Sequence, residues 1–114
     1  MQHVALEVAD LDAARNFYVD VMGMTVLDRP DFGFPGMWLG LPDGRAVHLI
    51  EGHKPPHPGH HFALEIDDMD AAVAALRSHG VQVNDPFETA PGAGMQAFIN
   101  DPSGNVIELN QPHR

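Results

Sequence analysis

Residues 3–14 read HVALEVADLDAA and residues 61–72 read HFALEIDDMDAA, eight identities in twelve positions, with conservative exchanges at Val8/Ile66 and Leu11/Met69. A self-match of this quality decides the fold, because a chain that repeats one layout folds as two like units. The likeness continues further along. Pro42-Asp43-Gly44 and Val47-His48-Leu49 return as Pro102-Ser103-Gly104 and Ile107-Glu108-Leu109, at an offset two residues longer.

The shared layout has a physical reading. Val4, Leu6 and Val8 alternate with His3, Ala5 and Glu7, the period-2 pattern of a strand with one covered face. Asp10 is placed to cap a helix that carries Leu11, Ala14, Phe17, Tyr18, Val21 and Met22 on one side and stops at Gly23. In the second half Asp68 caps a helix with Met69, Ala72, Val73 and Leu76 inward, ended by Gly80. Short extended stretches follow each helix, over 24–29, 36–41 and 46–51, then 81–84, 95–100 and 105–110. Pro42-Asp43-Gly44 and Asp101-Pro102-Ser103-Gly104 make the last turn of each half. The expectation is an α+β fold of two βαβββ modules, 1–51 and 61–114, joined by the Pro-, Gly- and His-rich linker GHKPPHPGH at 52–60. Neither half has a comfortable core alone, so the two are expected to form one domain over 1–114, a pseudo-symmetric curved sheet or open barrel around a metal cleft.

Composition narrows the function. In 114 residues there are 6 Lys plus Arg against 16 Asp plus Glu, a formal charge of −10 that repels phosphate backbones and anionic lipid. Nucleic acid and membrane partners are not expected. No apolar run approaches the roughly 20 residues of a spanning helix, and the N-terminal residues lack a secretory pattern, which makes the cytoplasm the expected location. With no cysteine, disulfides and thiolate chemistry are excluded, and any metal site has to use His, Asp or Glu.

Strand parity sets candidates for such a site. If Val4 and Leu6 lie under the helix, His3 points to the other face, and His61 does the same beside Phe62 and Leu64. His48 lies between Val47 and Leu49, and Glu108 between Ile107 and Leu109. The repeat pairs His3 with His61 and His48 with Glu108, so the four make a candidate metal site. A lone strand histidine is more often a solvated residue than a ligand; imidazoles at equivalent positions of both modules, with a carboxylate, are hard to assign to packing. His53, His57 and His60 read as loop residues, and His79 as a cation at a helix C-terminus. The segment DFGFPGMW at 31–38 gathers Phe32, Phe34, Met37 and Trp38, either as the wall or lid of a substrate pocket or as a plug for the end of a small core.

These residues resemble a known family. Paired βαβββ modules with strand-borne His3, His61 and Glu108, the segment FYVDVMGM, and the terminal DPSGNVIELNQP are similar to the vicinal oxygen chelate superfamily, which includes glyoxalase I, methylmalonyl-CoA epimerase, fosfomycin-resistance enzymes, extradiol dioxygenases and bleomycin-binding proteins. The resemblance implies a divalent ion, Zn, Ni, Co, Mn or Fe, on His3, His61 and Glu108, with open positions for substrate oxygens. His48 departs from the family's better-known enzymes, which carry Glu or Gln there, and it either completes a tighter site or stands just outside it. Ala5 stands where fosfomycin-type enzymes carry a hydroxyl.

Three functions follow as expectations. The first is a metal-dependent lyase or isomerase acting on a small molecule with adjacent oxygens, with Glu108 as ligand and candidate base. The second is an Fe(II)-dependent extradiol-type dioxygenase, since two imidazoles and a carboxylate also describe non-haem iron sites. The third is a drug- or metabolite-binding resistance protein without turnover. A homodimer is expected from the resemblance and from the need to cover sheet edges.

Overall fold

The computed structural model describes residues 2–52, 60–88, 91–92 and 94–113. Most of the linker, with His53 and His57, therefore lies outside the described residues. The elements run β1 (His3–Val8), α1 (Leu11–Arg15), a π-helical segment (Asn16–Val21), β2 (Thr25–Leu27), β3 (Gly36–Gly40), β4 (Ala46–Glu51), β5 (His61–Glu65), α2 (Met69–Ser78), β6 (Met95–Asn100) and β7 (Val106–Gln111). The strands form a four-stranded sheet in the order β1-β4-β3-β2 and a three-stranded sheet in the order β5-β7-β6. The α+β architecture of two like modules holds, each module contributing its own sheet, neither of them closed. Among the described residues no helix is long and apolar enough to cross a membrane.

The chain divides into two compact units, Met1–His57 with Asp101–Asn105, and Pro58–Asn100 with Val106–Arg114. In the first, Val8, Ala14, Phe17, Tyr18, Leu39, Val47 and Leu49 are buried. Burying each of the large side chains stabilises the fold by roughly 1.5–3 kcal/mol. Asp10 caps α1, its carboxylate accepting from the Ala13 N–H at 3.1 Å. The helix then widens: the Met22 N–H donates to the Phe17 carbonyl at 3.0 Å, a five-residue span, and the neighbours Phe17 and Tyr18 are both buried. A continuous α-helix was the sequence expectation; the wider turn brings two adjacent aromatic side chains into one core.

Five residues from late in the chain complete this unit. Asp101 is the one buried charged residue among those described. Its Oδ1 accepts from the N–H groups of Ser103 at 2.9 Å and Asn105 at 2.8 Å, and its Oδ2 from the Tyr18 hydroxyl at 2.9 Å and Asn105 Nδ2 at 2.8 Å. Ser103 Oγ accepts from the Ala9 N–H at 2.8 Å, and Asn105 Nδ2 donates to the Glu7 carbonyl at 2.9 Å. Burial, then the charge of Asp101 and its hydrogen bond, push the Tyr18 phenol far above its ordinary range.

The second unit repeats the plan with one strand fewer. Asp68 caps α2 through the Ala71 N–H at 3.1 Å, and Met69, Val73 and Leu76 are buried with Phe62, Ala97, Ile99, Ile107 and Leu109. The strand expected over 81–84 does not form. Asn84 is the reason: its side-chain Oδ1, rather than a backbone carbonyl, accepts from the Phe98 N–H at 2.7 Å. Arg77 Nη2 donates to the Val83 carbonyl at 3.0 Å, and further on an isolated backbone bridge links Phe87 to Gln96 of β6.

Candidate functional site

Equivalent strand pairs carry the candidate ligands. In the first unit β1 runs parallel to β4, with Ala5 opposite His48 and His3 opposite Ala46. In the second β5 runs parallel to β7, with Ala63 opposite Glu108 and His61 opposite Val106. His3 and His48 are thus diagonal neighbours in one sheet, as His61 and Glu108 are in the other. Parallel pairing puts such diagonal side chains on one face within reach of each other. Across the antiparallel neighbours, Trp38 stands opposite His48 and Phe98 opposite Glu108. The repeat is therefore kept at the level of register, not only of sequence.

The first pair is built of stacked rings. His3 and His48 lie face to face with centroids 4.1 Å apart and 14° from parallel, and Trp38 covers the other face of His48 at 4.3 Å and 8°. His3 Nδ1 lies 2.9 Å from Gln2 Oε1, within hydrogen-bond distance. Burial, then its neighbours His3 and Arg29, hold the His48 imidazole below its usual pKa. It is neutral at pH 7 and able to donate electrons to a cation.

The second pair joins an imidazole to a carboxylate. His61 Nε2 is 3.3 Å from Glu108 Oε1, with the Glu108 side chain 14% and the His61 side chain 40% exposed. Asn110 Nδ2 donates to Glu108 Oε2 at 3.0 Å, and the edge of Phe98 meets the His61 ring with centroids 6.1 Å apart. Asn110 escaped the sequence reading, although its separation of two residues from Glu108 places both on one face. Each unit holds two candidate donors; among the described residues no three His, Asp or Glu side chains are gathered into a ready-made metal site.

Beside His48 in the first unit is a cavity of about 180 Å³, walled by Phe32, Phe34, Trp38 and His48, with Ala5 and Arg29 among its other residues. Phe32 and Phe34 stack at 5.8 Å, and Phe32 meets Trp38 at 5.9 Å, tilted by 41°. Of the four candidate substrate-binding residues, Phe32, Phe34 and Trp38 line this space. Met37 does not: it pairs with Leu49, and strand alternation sends its side chain to the opposite face from Trp38. Arg29 was missed, because nothing local in the sequence separates it from the other dispersed arginines.

Residues 1–109 match the Glyoxalase/Bleomycin resistance protein/Dioxygenase superfamily, and the chain belongs to it. It is 34% identical over 121 residues to the lactoylglutathione lyase of Haemophilus influenzae, covering 94% of this chain and 88% of that one. Among solved structures it is similar to TnmS3, an antibiotic binding protein from Streptomyces sp. CB03234, at 34% identity and a TM-score of 0.83 over 98% of this chain and 94% of the other. FosX, a fosfomycin resistance protein from Listeria monocytogenes, shares the fold at 17% identity, with a TM-score of 0.85 over 98% of this chain and 91% of the other in a complex with Mn(II) and 1S,2S-dihydroxypropylphosphonic acid.

Proposed function

We propose that this protein is a metal-dependent enzyme of the lyase or isomerase type. Its substrate would be a small molecule presenting two adjacent oxygens to a divalent ion held by His3, His48, His61 and Glu108. The spacing of His61 Nε2 and Glu108 Oε1 is the observation that carries this reading. At 3.3 Å it exceeds the roughly 2.7–2.9 Å of a charge-assisted hydrogen bond. It falls instead in the interval of roughly 3.0–3.4 Å that separates two donors each about 2.1 Å from one ion. His3 and His48 hold the equivalent register positions in the other module, and three imidazoles with one carboxylate suit Zn, Ni, Co, Mn or Fe. The lyase relative at 34% identity favours chemistry over binding alone.

Bound there, the ion supplies Lewis acidity toward the chelated oxygens. The chain's own residues do the rest. Glu108 is the candidate base, its Oε2 steadied by Asn110 Nδ2 and its surroundings largely shielded from water. His48 is held between Trp38 and His3, which stack on its two faces. The exposed edge strand β2, with Val26 46% and Leu27 40% exposed, supports a homodimer, which light scattering tests.

Elemental analysis of untagged protein tests the metal, with at least stoichiometric divalent ion expected. Loading with Co(II) and adding acetohydroxamate, a ligand with two adjacent oxygens, should then change the visible spectrum. An unchanged spectrum on a stoichiometrically loaded protein sinks the chelation reading. A second reading, sequestration of a ligand without turnover, is favoured by the aromatic cavity and by the antibiotic-binding relative at 34% identity. Ligand binding that survives removal of all metal, without any turnover when metal is restored, selects it.

A further inference from the structure

We propose that Arg29 is the anchor for an anionic group, and that the cavity beside His48 takes a flat aromatic carboxylate. The inference deepens the function proposed above and rests on it in one respect, that this cavity is where the substrate sits.

The guanidinium is fixed before any ligand arrives. Arg29 Nη2 donates to the Phe34 carbonyl at 3.2 Å, and its central carbon lies 5.0 Å from the Phe32 ring centroid and 5.1 Å from that of Phe34. It packs against Gly36, where a Cβ would stand 2.8 Å from Nη2 and 2.6 Å from the Leu49 carbonyl oxygen. A cation set against two aromatic rings, with glycine beside it, loses little further freedom on binding.

Among the described residues Arg29 has no carboxylate counter-ion. The ion pairs among the described residues are Arg45–Asp43, His61–Glu108 and Arg77–Asp85, and none includes Arg29. Arg29 is half-buried on the cavity wall, where an anionic ligand would meet its charge partly shielded from water. Guanidinium has five N–H donors in a planar fork, and among the described residues Arg29 forms one hydrogen bond, to Phe34, so its remaining donors can match a carboxylate.

Size and shape set the remainder of the ligand. An apolar cavity of roughly 150 Å³ admits a benzene ring, and this one measures about 180 Å³, enough for one ring bearing a carboxylate. Trp38, Phe32 and Phe34 supply its aromatic lining, which suits an aromatic partner. The net charge of −10 repels free anions at a distance, so selection of the carboxylate has to come from this local contact.

Trp38 is the only tryptophan of the chain, and its emission reports on the cavity. Benzoate and its neutral isostere benzamide are titrated into chelator-dialysed and metal-loaded protein. Benzoate should give a saturable change in emission in the metal-free protein, with a Kd at least tenfold below that of benzamide. Arg29→Gln should raise the benzoate Kd to the benzamide level and leave benzamide unchanged, with Arg29→Lys between the two. Equal binding of benzoate and benzamide, absence of benzoate binding, or an unaltered benzoate preference in both variants overturns the proposal. A carboxylate preference in a protein that takes up no metal leaves the anchor standing and removes the enzyme. Stoichiometric metal with no carboxylate preference does the reverse.

Discussion

The imidazole of His48 is clamped face to face against the indole of Trp38, ring centres 4.3 Å apart and 8° from parallel. With His3 on its other side, the ring can present only its edge, and both of its nitrogens lie on that edge. Among the described residues the ring is held by stacking on both faces, with no hydrogen bond to it.

His3→Ala and His61→Ala should each abolish stoichiometric metal binding, with affinity falling by on the order of 100-fold or more, given that even outer partners of a ligand are worth 10–100-fold. His60→Ala should not. His48→Ala should weaken binding less than His61→Ala. Elemental analysis after gel filtration reads all four; loss of metal in His60→Ala alone would move the ligand by one residue and reverse the strand parity.

Glu108→Gln keeps an oxygen donor but removes charge and basicity. Metal affinity should fall moderately, while turnover, once a substrate is known, drops by about 10²–10⁴-fold. Asn110→Ala should cost about 10–100-fold in metal affinity by freeing Glu108. Metal competition titrations distinguish the two, and near-normal turnover in Glu108→Gln would remove this residue as base.

Tyr18 is the chain's only tyrosine, so tyrosinate absorbance belongs to it alone. Its pKa is raised by folding, so its contribution to stability is intact below the unfolded value of about 10. Above that pH the unfolded chain gives up the proton while the folded one keeps it, and stability falls by about 1.4 kcal/mol per pH unit. Tyr18→Phe should remove this alkaline loss. At neutral pH it should cost about 1.5–3 kcal/mol, the worth of a hydrogen bond to a charged group, and Asp101→Ala should cost more because it strips several donors at once. Urea melts from pH 7 to 11 provide the check, and tyrosinate absorbance in folded protein near pH 10 would count against it.

Gly36→Ala places a methyl group against the Leu49 carbonyl and Arg29, both within 3 Å of the added carbon. Overpacking of this kind costs about 1–3 kcal/mol. Thermal unfolding should record that loss, and a stability equal to the parent protein's would mean that β3 and Arg29 yield readily.

The strands β1 and β5, both helix caps, and the placing of His3, His48, His61 and Glu108 away from the covered faces could be read from the sequence, since period-2 alternation and capping are local. The departures all come from contacts that no local pattern encodes. The π-helical segment depends on where the core accepts both Phe17 and Tyr18. The strand over 81–84 is lost because the Asn84 side chain, in place of a backbone carbonyl of that segment, accepts from the Phe98 N–H of β6. Arg29 gains its position from Gly36 on another element, and Asp101 meets Tyr18 across 83 residues.

That last span bears on how the gene could be cut. A fragment ending in the linker would hold every strand of the first sheet yet lack the five residues that accept the Tyr18 phenol and bond to the backbone of Glu7 and Ala9. The sequence repeat and the folding unit therefore have different borders. Half-genes would yield a first fragment with a buried, orphaned hydroxyl, and a five-residue peptide from the far end of the chain is the piece it would need returned.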